Sequence, residues 1–572
     1  MTEQQIKYCK YLQEIEAIAN SVCVESDRVI LLKKEIESAE LLIPVIGAFS
    51  SGKSTLLNSF LGELILPVDI TPETALATEL HFSTEERLDA VKADGHVDHY
   101  VISDFEKLQD RAEEYRFVRA YLNKEMLRDI EPLVLVDMPG FDSPLDLHNQ
   151  AILEYISRGA HYMVLTSVHE GNLTRSMLRQ ISEVYDARKG ISFFLSQSNL
   201  RAPDEVVQIA KKVAEQLEDQ FDTAHQVIPV GIDGGDDLEA IVQGINPNHL
   251  IEKLYDSLVL DAYQSLKGEL NTRIATLRKG REENTETVKE LQKGLELLVR
   301  KKENLLQDVE GKYTNMRVDR IVDRVGKELS DSIDELTQVG MASGSEALRQ
   351  RIGEIVRCKL LQEMRISMSE ISNQIIDDIT FELKAVDSVL SGYAEGDLSW
   401  IERAVEQSKL LLERGVGKLE QLSGSYENKA RKDVANKTYK FVATILGLTT
   451  SVVAPVVEII IIFLPEIIAF FSQKIREQKQ KEEIRNAVMT QVIPEIKSKL
   501  RSEIPMIFNA YVGQMVEEIG SQFEVQIEKQ KNIISAEQAE VESKQLGVDT
   551  KLASYSEAVD KLVSCTSDLI SA

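Results

Sequence analysis

Gly47-Ala48-Phe49-Ser50-Ser51-Gly52-Lys53-Ser54 reads G-x-x-x-x-G-K-S, a spacing whose chemistry is the gripping of a polyphosphate. The glycines let successive backbone N–H groups wrap phosphate oxygens. A helix opening at the end of the loop adds the positive end of its dipole. Lys53 neutralises the outer phosphates, and the Ser54 hydroxyl holds Mg²⁺. Gly47, Ser51, Gly52 and Thr55 supply the rest of the cradle. A second stretch belongs with it. Leu133-Val134-Leu135-Val136-Asp137-Met138-Pro139-Gly140 is an apolar run ending in D-x-P-G. A carboxylate at the end of a buried strand sits near the Mg²⁺, Asp137 acting through water, and the Gly140 N–H can reach the γ-phosphate.

Such residues need a strand, a tight loop and a helix to hold them. Leu41–Ile46 is a short apolar run suited to a buried strand, and Ser54–Leu61 reads as the helix. Further strands are expected at 41–46, 78–83, 132–137, 161–168, 191–196 and 226–230, with helices such as 203–220 between them. That alternation implies an α/β domain over 41–250 with a largely parallel sheet. Asp94, His96, Asp98 and His99 lie close together, and the expectation is a solvated loop rather than a metal site.

The rest reads as helix. Residues 1–40 carry Ile6, Leu12, Ile15, Ile18, Val22 and the Val29-Ile30 pair at roughly helical intervals between charges, so this segment needs a partner elsewhere in the chain. Between Pro247 and Pro455 there is no proline, and the stretch is rich in Glu, Lys, Leu, Arg and Gln, as long helices require. Val288, Leu291, Leu295 and Leu298 form one stripe, and Val512, Val516, Ile519, Phe523 and Ile527 another. These are expected to form the core of an elongated all-α bundle. Gly340–Ser345, Gly392–Gly396 and Gly424 are its expected turns.

One segment departs from this pattern. From Phe441 to Val457 there is no charged residue, and apolar runs continue to Phe471, broken by Pro455, Glu458, Pro465 and Glu466. That is short of the roughly 20 apolar residues a spanning helix needs, and the prolines interrupt it. A hairpin dipping into one leaflet fits better. Lys429, Arg431, Lys432, Lys437 and Lys440 precede it, and Lys474, Arg476, Lys479, Lys481 and Arg485 follow. Basic flanks on so acidic a chain suit anionic lipid headgroups. The competing expectation is a buried hairpin within the helical core.

Composition narrows the classes. The chain has 572 residues, a net charge of −28 and 43% hydrophobic residues. Its calculated pI is near 4.9. The acidity argues against nucleic acid as a partner. Cys9, Cys23, Cys358 and Cys565 are scattered, which points to neither a disulfide framework nor a zinc site and suits a reducing compartment. The N-terminus has no basic start followed by an apolar core, so a cytoplasmic protein associated peripherally with the membrane is expected.

Gly47–Thr55 together with Asp137–Gly140 resembles the translation-factor-like class of GTPases. The long gap between those motifs, the helix ahead of the P-loop, the helical tail and its apolar interruption are similar to bacterial dynamin-like proteins. The resemblance implies binding and hydrolysis of GTP to GDP with Mg²⁺. It also implies assembly with a second copy, or with a partner dynamin-like protein, across the nucleotide face, and membrane remodelling through a stalk tip. The implied layout is a neck-packing helix at 1–40, a GTPase domain at 41–250, a helical trunk at 251–435, an apolar tip at 436–475 and returning helices at 476–572.

By the same resemblance, a switch threonine follows Leu66-Pro67. Thr74 has the matching spacing and would hold Mg²⁺ and the γ-phosphate, with Thr71 and Thr78 as competitors. The base-recognition pattern N/T-K-x-D is altered here. Ser196-Gln197-Ser198-Asn199 puts Gln197 at the lysine position and Asn199 at the aspartate position. Losing a charge-assisted bond to guanine costs about 1.5–3 kcal/mol, roughly 10–150-fold in affinity. Phe49 stands where many eukaryotic dynamins carry the glutamine that places the attacking water. Ser50 is the next candidate in that loop, so slow turnover in isolation is expected, with rescue by assembly. A nucleotide-impaired membrane tether or scaffold is the alternative.

Overall fold

The computed structural model describes residues 1–48, 51–68, 76–92, 95–109, 111–140, 155, 159–174, 177–178, 181–182, 190–391, 393, 405, 477–543 and 547–571. They fall into two compact units. One is chiefly Ser38–Lys253; the other is built mainly from Glu3–Glu37, Leu254–Gly415 and Glu427–Ala572.

In the first unit, runs of Val, Ile, Leu and Phe make strands buried on both faces, as a sheet covered by helices demands. Nine strands form one sheet among the described residues: β1 (Leu41–Gly47), β2 (Thr78–Phe82), β3 (Arg87–Val91), β4 (Val97–Tyr100), β5 (Phe117–Leu122), β6 (Leu133–Asp137), β7 (His161–Ser167), β8 (Gly190–Ser196) and β9 (Val227–Pro229). Their order is β4-β3-β5-β2-β6-β1-β7-β8-β9. β1 runs parallel to β6 and β7, β8 is parallel to β7 and β9, and β2 is parallel to β5. The antiparallel pairs are β2 with β6 and β3 with both β4 and β5. The sheet is therefore mostly parallel, as expected, with an antiparallel margin that the sequence did not reveal. Asp98 and His99 correct the loop expectation, since both lie on β4. His99 Nδ1 contacts Asp89 Oδ1 at 2.7 Å, and Lys92 pairs with Asp98 at 2.8 Å. No group of side chains able to hold a metal ion occurs among the described residues; Asp94 lies outside them.

A charged cluster is buried on β2. Glu79 is 1% exposed. Its carboxylate accepts hydrogen bonds from Tyr155 Oη at 2.8 Å and Arg119 Nε at 3.0 Å, and contacts His81 Nε2 at 3.2 Å. His81 Nδ1 lies 3.5 Å from Glu40. With partners on all sides, this buried carboxylate is tolerated where a lone one would not be.

The second unit is helical. Residues 1–40 form two helices rather than one, α1 (Glu3–Ser21) and α2 (Asp27–Glu37). The chain turns between them at Cys23, whose φ is 54°. Their distant partners are found: Tyr11 Oη bonds Thr566 Oγ1 at 2.7 Å, and Arg28 pairs with Asp261 at 2.6 Å. The helix Arg281–Gln307 continues through a π-turn at Glu310–Thr314 into Asn315–Asp331. The segment Ile333–Glu382 reverses at Gly344, where φ is 83° and ψ −172°, a conformation only glycine adopts readily. The returning chain lies antiparallel, with Arg324–Glu363 at 3.1 Å, Arg320–Glu370 at 2.7 Å and Tyr313–Asp378 at 2.9 Å. Glu477–Ala487 and Ile493–Ser543 also run antiparallel to the first helices, through Arg485–Asp334 at 2.6 Å, Lys497–Asp323 at 2.7 Å and Lys302–Glu524 at 2.8 Å. Val512, Val516, Ile519, Phe523 and Ile527 are all buried along this helix. Leu291 and Leu298 are buried, while Val288 and Leu295 are half-buried. The apolar stretch 441–471, its upstream basic flank, Lys474, Arg476 and the turns near Gly396 and Gly424 lie outside the described residues, whereas Lys479, Lys481 and Arg485 lie on the helix Glu477–Ala487. Among the described residues no helix is long and apolar enough to cross a membrane.

Candidate nucleotide site

The loop after β1 is built to approach something closely. Any side chain at Gly47 would collide with the Leu165 carbonyl oxygen of β7 and come within 2.7 Å of Ser51 Oγ. Gly52, at φ 80°, turns the chain in the left-handed region and caps α3 (Lys53–Leu61). Ser51 Oγ donates to the Ala48 carbonyl at 2.8 Å and cross-braces the loop. Lys53 is buried, and its ammonium donates to the carbonyls of Gly47 at 3.1 Å and Ala48 at 2.9 Å. These bonds hold a cation at the loop's centre, where phosphate oxygens can replace the carbonyls. Thr55 follows, half-buried on α3.

Strand β6 brings Asp137 alongside. Ser54 Oγ donates to Asp137 Oδ2 at 2.6 Å. The other oxygen, Asp137 Oδ1, is buried with no hydrogen-bond partner among the described residues. Burial raises the Asp137 pKa above the usual carboxylate range, opposed by the Ser54 hydrogen bond and the Lys53 charge. An orphaned buried carboxylate oxygen next to a serine hydroxyl fits a hard divalent cation, which takes oxygen ligands and can supply the missing partner directly or through its water. The residues present therefore fit Mg²⁺. Gly140 lies three residues on, buried after the strand end.

The end of β8 closes the other side. Ser196 Oγ donates to the Ser51 carbonyl at 2.6 Å, tying the strand to the P-loop. Gln197 adopts φ 59°. Its Oε1 accepts from Ser167 Oγ at 2.7 Å, and its Nε2 lies 3.4 Å from where a Gly52 Cβ would be. Gln197 thus packs over the P-loop glycine without bringing a charge there. Asn199 sits on the Ser198–Leu200 turn and accepts the Ile232 N–H through Oδ1 at 3.0 Å.

The expected P-loop and Asp137 residues come together, and Gln197 meets them from β8. Phe49, Ser50, Thr71 and Thr74 lie outside the described residues. Thr78 is on β2 opposite Asp137 in the register, and its Oγ1 donates to the Leu76 carbonyl at 3.3 Å. Two positioning residues escaped the sequence reading. Asn58 pins the chain leaving α3: its Nδ2 donates to the Leu66 carbonyl at 2.7 Å, while its Oδ1 accepts from the N–H groups of Ile65 and Leu66. Ser59 Oγ accepts the Gly235 N–H at 3.1 Å. An asparagine inside a predicted helix was the available signal for the first; the second has none.

Comparison with known proteins places this geometry. Residues 43–198 match the family model described as "Dynamin family". An uncharacterised protein from the xynA 3′ region of Caldicellulosiruptor sp. (strain Rt8B.4) is 25% identical over 224 residues, 36% of this chain and 53% of its own length. Dynamin-like protein 2 of Campylobacter jejuni (strain 81-176) is 35% identical over 104 residues, 18% of this chain and 17% of its own. The chain thus spans about half the first of these curated relatives and less of the second. A solved structure, described as an oligomerised bacterial dynamin pair for long-range sensing and tethering of membranes, is 14% identical. It covers 94% of this chain and 91% of its own, with a TM-score of 0.32, a likeness too slight to carry a functional conclusion. The segment that matches the dynamin family model contains the P-loop, the Ser54–Asp137 pair and Gln197.

Proposed function

We propose that this protein binds GTP with Mg²⁺ and hydrolyses it to GDP and phosphate, slowly alone and faster when assembled on a membrane. The observation that carries the nucleotide reading is the Ser54–Asp137 pair with its orphaned Oδ1 beside buried Lys53. In the bound state Lys53 exchanges its two carbonyl partners for β- and γ-phosphate oxygens, and the loop N–H groups at Gly52 and Ser54 face the phosphates. Ser54 and Asp137 would hold Mg²⁺, which when bound neutralises charge on those oxygens. Thr74 is assigned to the γ-phosphate and metal, and Gly140 to the γ-phosphate through its N–H. Ser50, or a group supplied by a second copy or a partner dynamin-like protein across the nucleotide face, is assigned to placing water, because Phe49 cannot.

Residues 441–471, with their basic flanks, are the proposed contact with anionic lipid, in a protein held at the cytoplasmic membrane surface. Residues 1–40, 251–435 and 476–572 are the proposed neck and trunk, and 436–475 the tip. A second reading, a nucleotide-impaired tether, is favoured by Gln197 and Asn199 standing where a lysine and an aspartate are expected. Phosphate release from GTP by the full chain, with and without phosphatidylserine vesicles, separates the two. The GTPase reading predicts turnover that rises several-fold with vesicles. No turnover in either condition, with vesicle binding intact, supports the tether.

A further inference from the structure

The side chain at the base-reading position has its chemistry fixed by a neighbour. Ile232 donates its backbone N–H to Asn199 Oδ1 at 3.0 Å. A backbone N–H can only donate, so the acceptor is the amide oxygen and the remaining terminus is Nδ2, which carries two hydrogens. Asn199 lies two residues beyond Gln197, whose amide packs over Gly52 of the P-loop. It therefore stands outside the C-terminal ends of β8 and β9, where a base joined to P-loop-bound phosphates is placed in an open α/β sheet. Gly231 is adjacent: a Cβ there would come within 3.7 Å of Asn199 Oδ1.

Guanine presents two adjacent donors to such a reader, N1–H and the exocyclic 2-amine. A carboxylate satisfies both. Asn199 has one acceptor, already sharing its lone pairs with Ile232, and one donor. The free lone pair of Oδ1 serves N1–H, which leaves Nδ2–H facing the 2-amine, donor against donor. We propose that this pocket does not read guanine's 2-amino group, so that removing the amine costs nothing and relieves an unfavourable contact. This rests on the nucleotide-binding reading above and narrows its substrate class to purine nucleotides that retain N1–H, with or without an amine at C2.

Inosine triphosphate is the probe, since it differs from GTP only by that amine. Calorimetric titration of the full chain with GTP and ITP in Mg²⁺ reads affinity independently of turnover. ITP is expected to bind at least as tightly as GTP. Asn199→Asp keeps an acceptor for the Ile232 N–H and restores the second acceptor, so it is expected to shift the GTP-over-ITP ratio toward GTP by roughly 10–100-fold. Wild-type preference for GTP over ITP by tenfold or more overturns the inference while leaving the nucleotide site intact. So does an unchanged ratio in Asn199→Asp. Binding of neither nucleotide overturns the site itself, and the inference with it.

Discussion

Lys53→Ala is expected to weaken GTP binding roughly 10–100-fold and to lower turnover by a further 10²–10³-fold, leaving the fold intact. The ammonium is the only described cation hydrogen-bonded to the loop's inner carbonyls, donating to Gly47 and Ala48. Transfer of a phosphoryl group has little covalent chemistry for a protein to perform, so positioned positive charge does most of the work. Structural loss is small by comparison. The two carbonyls that lose a donor flank a phosphate-binding loop, and α3 keeps its Gly52 cap, with Leu56 N–H donating to the Gly52 carbonyl at 2.9 Å. Titration calorimetry gives the affinity and phosphate release the rate. Unchanged values in the variant would mean that the loop does not hold the nucleotide.

Glu79→Ala is expected to destabilise the α/β unit by about 3–5 kcal/mol, because it takes one buried carboxylate from three partners at once rather than removing a single contact. Arg119 loses its carboxylate, His81 keeps only the contact with Glu40, and the Tyr155 hydroxyl loses its acceptor. The same cluster makes the unit's stability depend on pH. Burial alone would lower the His81 pKa, but hydrogen bonds and charge from Glu40 and Glu79 outweigh it and raise the value from 6.5 to about 9. A histidine that gains basicity on folding stabilises the fold fully below about pH 6.5, and the contribution is lost as pH rises through about 9. The difference amounts to about 3 kcal/mol. Protection of the β2 and β5 amides in the full chain, corrected for intrinsic exchange rates, is therefore expected to fall between pH 6.5 and 9. The decline should shrink in Glu79→Ala. Equal protection in both proteins at both pH values would show that the cluster contributes no net stability.

How much of this was visible beforehand depended on how local each signal was. The P-loop and Asp137 could be read because their chemistry is written in contiguous motifs next to apolar strands. β1, β6, β7, β8 and β9 were legible because buried parallel strands are nearly continuous apolar runs. β3, β4 and β5 were not, because Arg87, Asp89, Asp98 and Arg119 interrupt them. Those charges find partners across strands, as in His99–Asp89 at 2.7 Å and Arg119–Glu79 at 3.0 Å. The break between α1 and α2 rests on one residue, Cys23, with a positive φ that its type does not announce. The turn at Gly344 was legible because two glycines and two serines fall together within Gly340–Ser345 of a helical run. The Asn199–Ile232 bond joins residues 33 apart, beyond any local pattern. Its consequence for base reading needed the fold.

In the proposed function, Ser54 and Asp137 form the metal half of a nucleotide site. The most direct test is GTP affinity of the full chain measured in Mg²⁺ and in excess EDTA, for wild type and Ser54→Ala. Mg²⁺ is expected to tighten wild-type binding by at least about tenfold, with most of this gain lost in Ser54→Ala while EDTA affinities stay close. Equal affinity with and without Mg²⁺ in the wild type would contradict it.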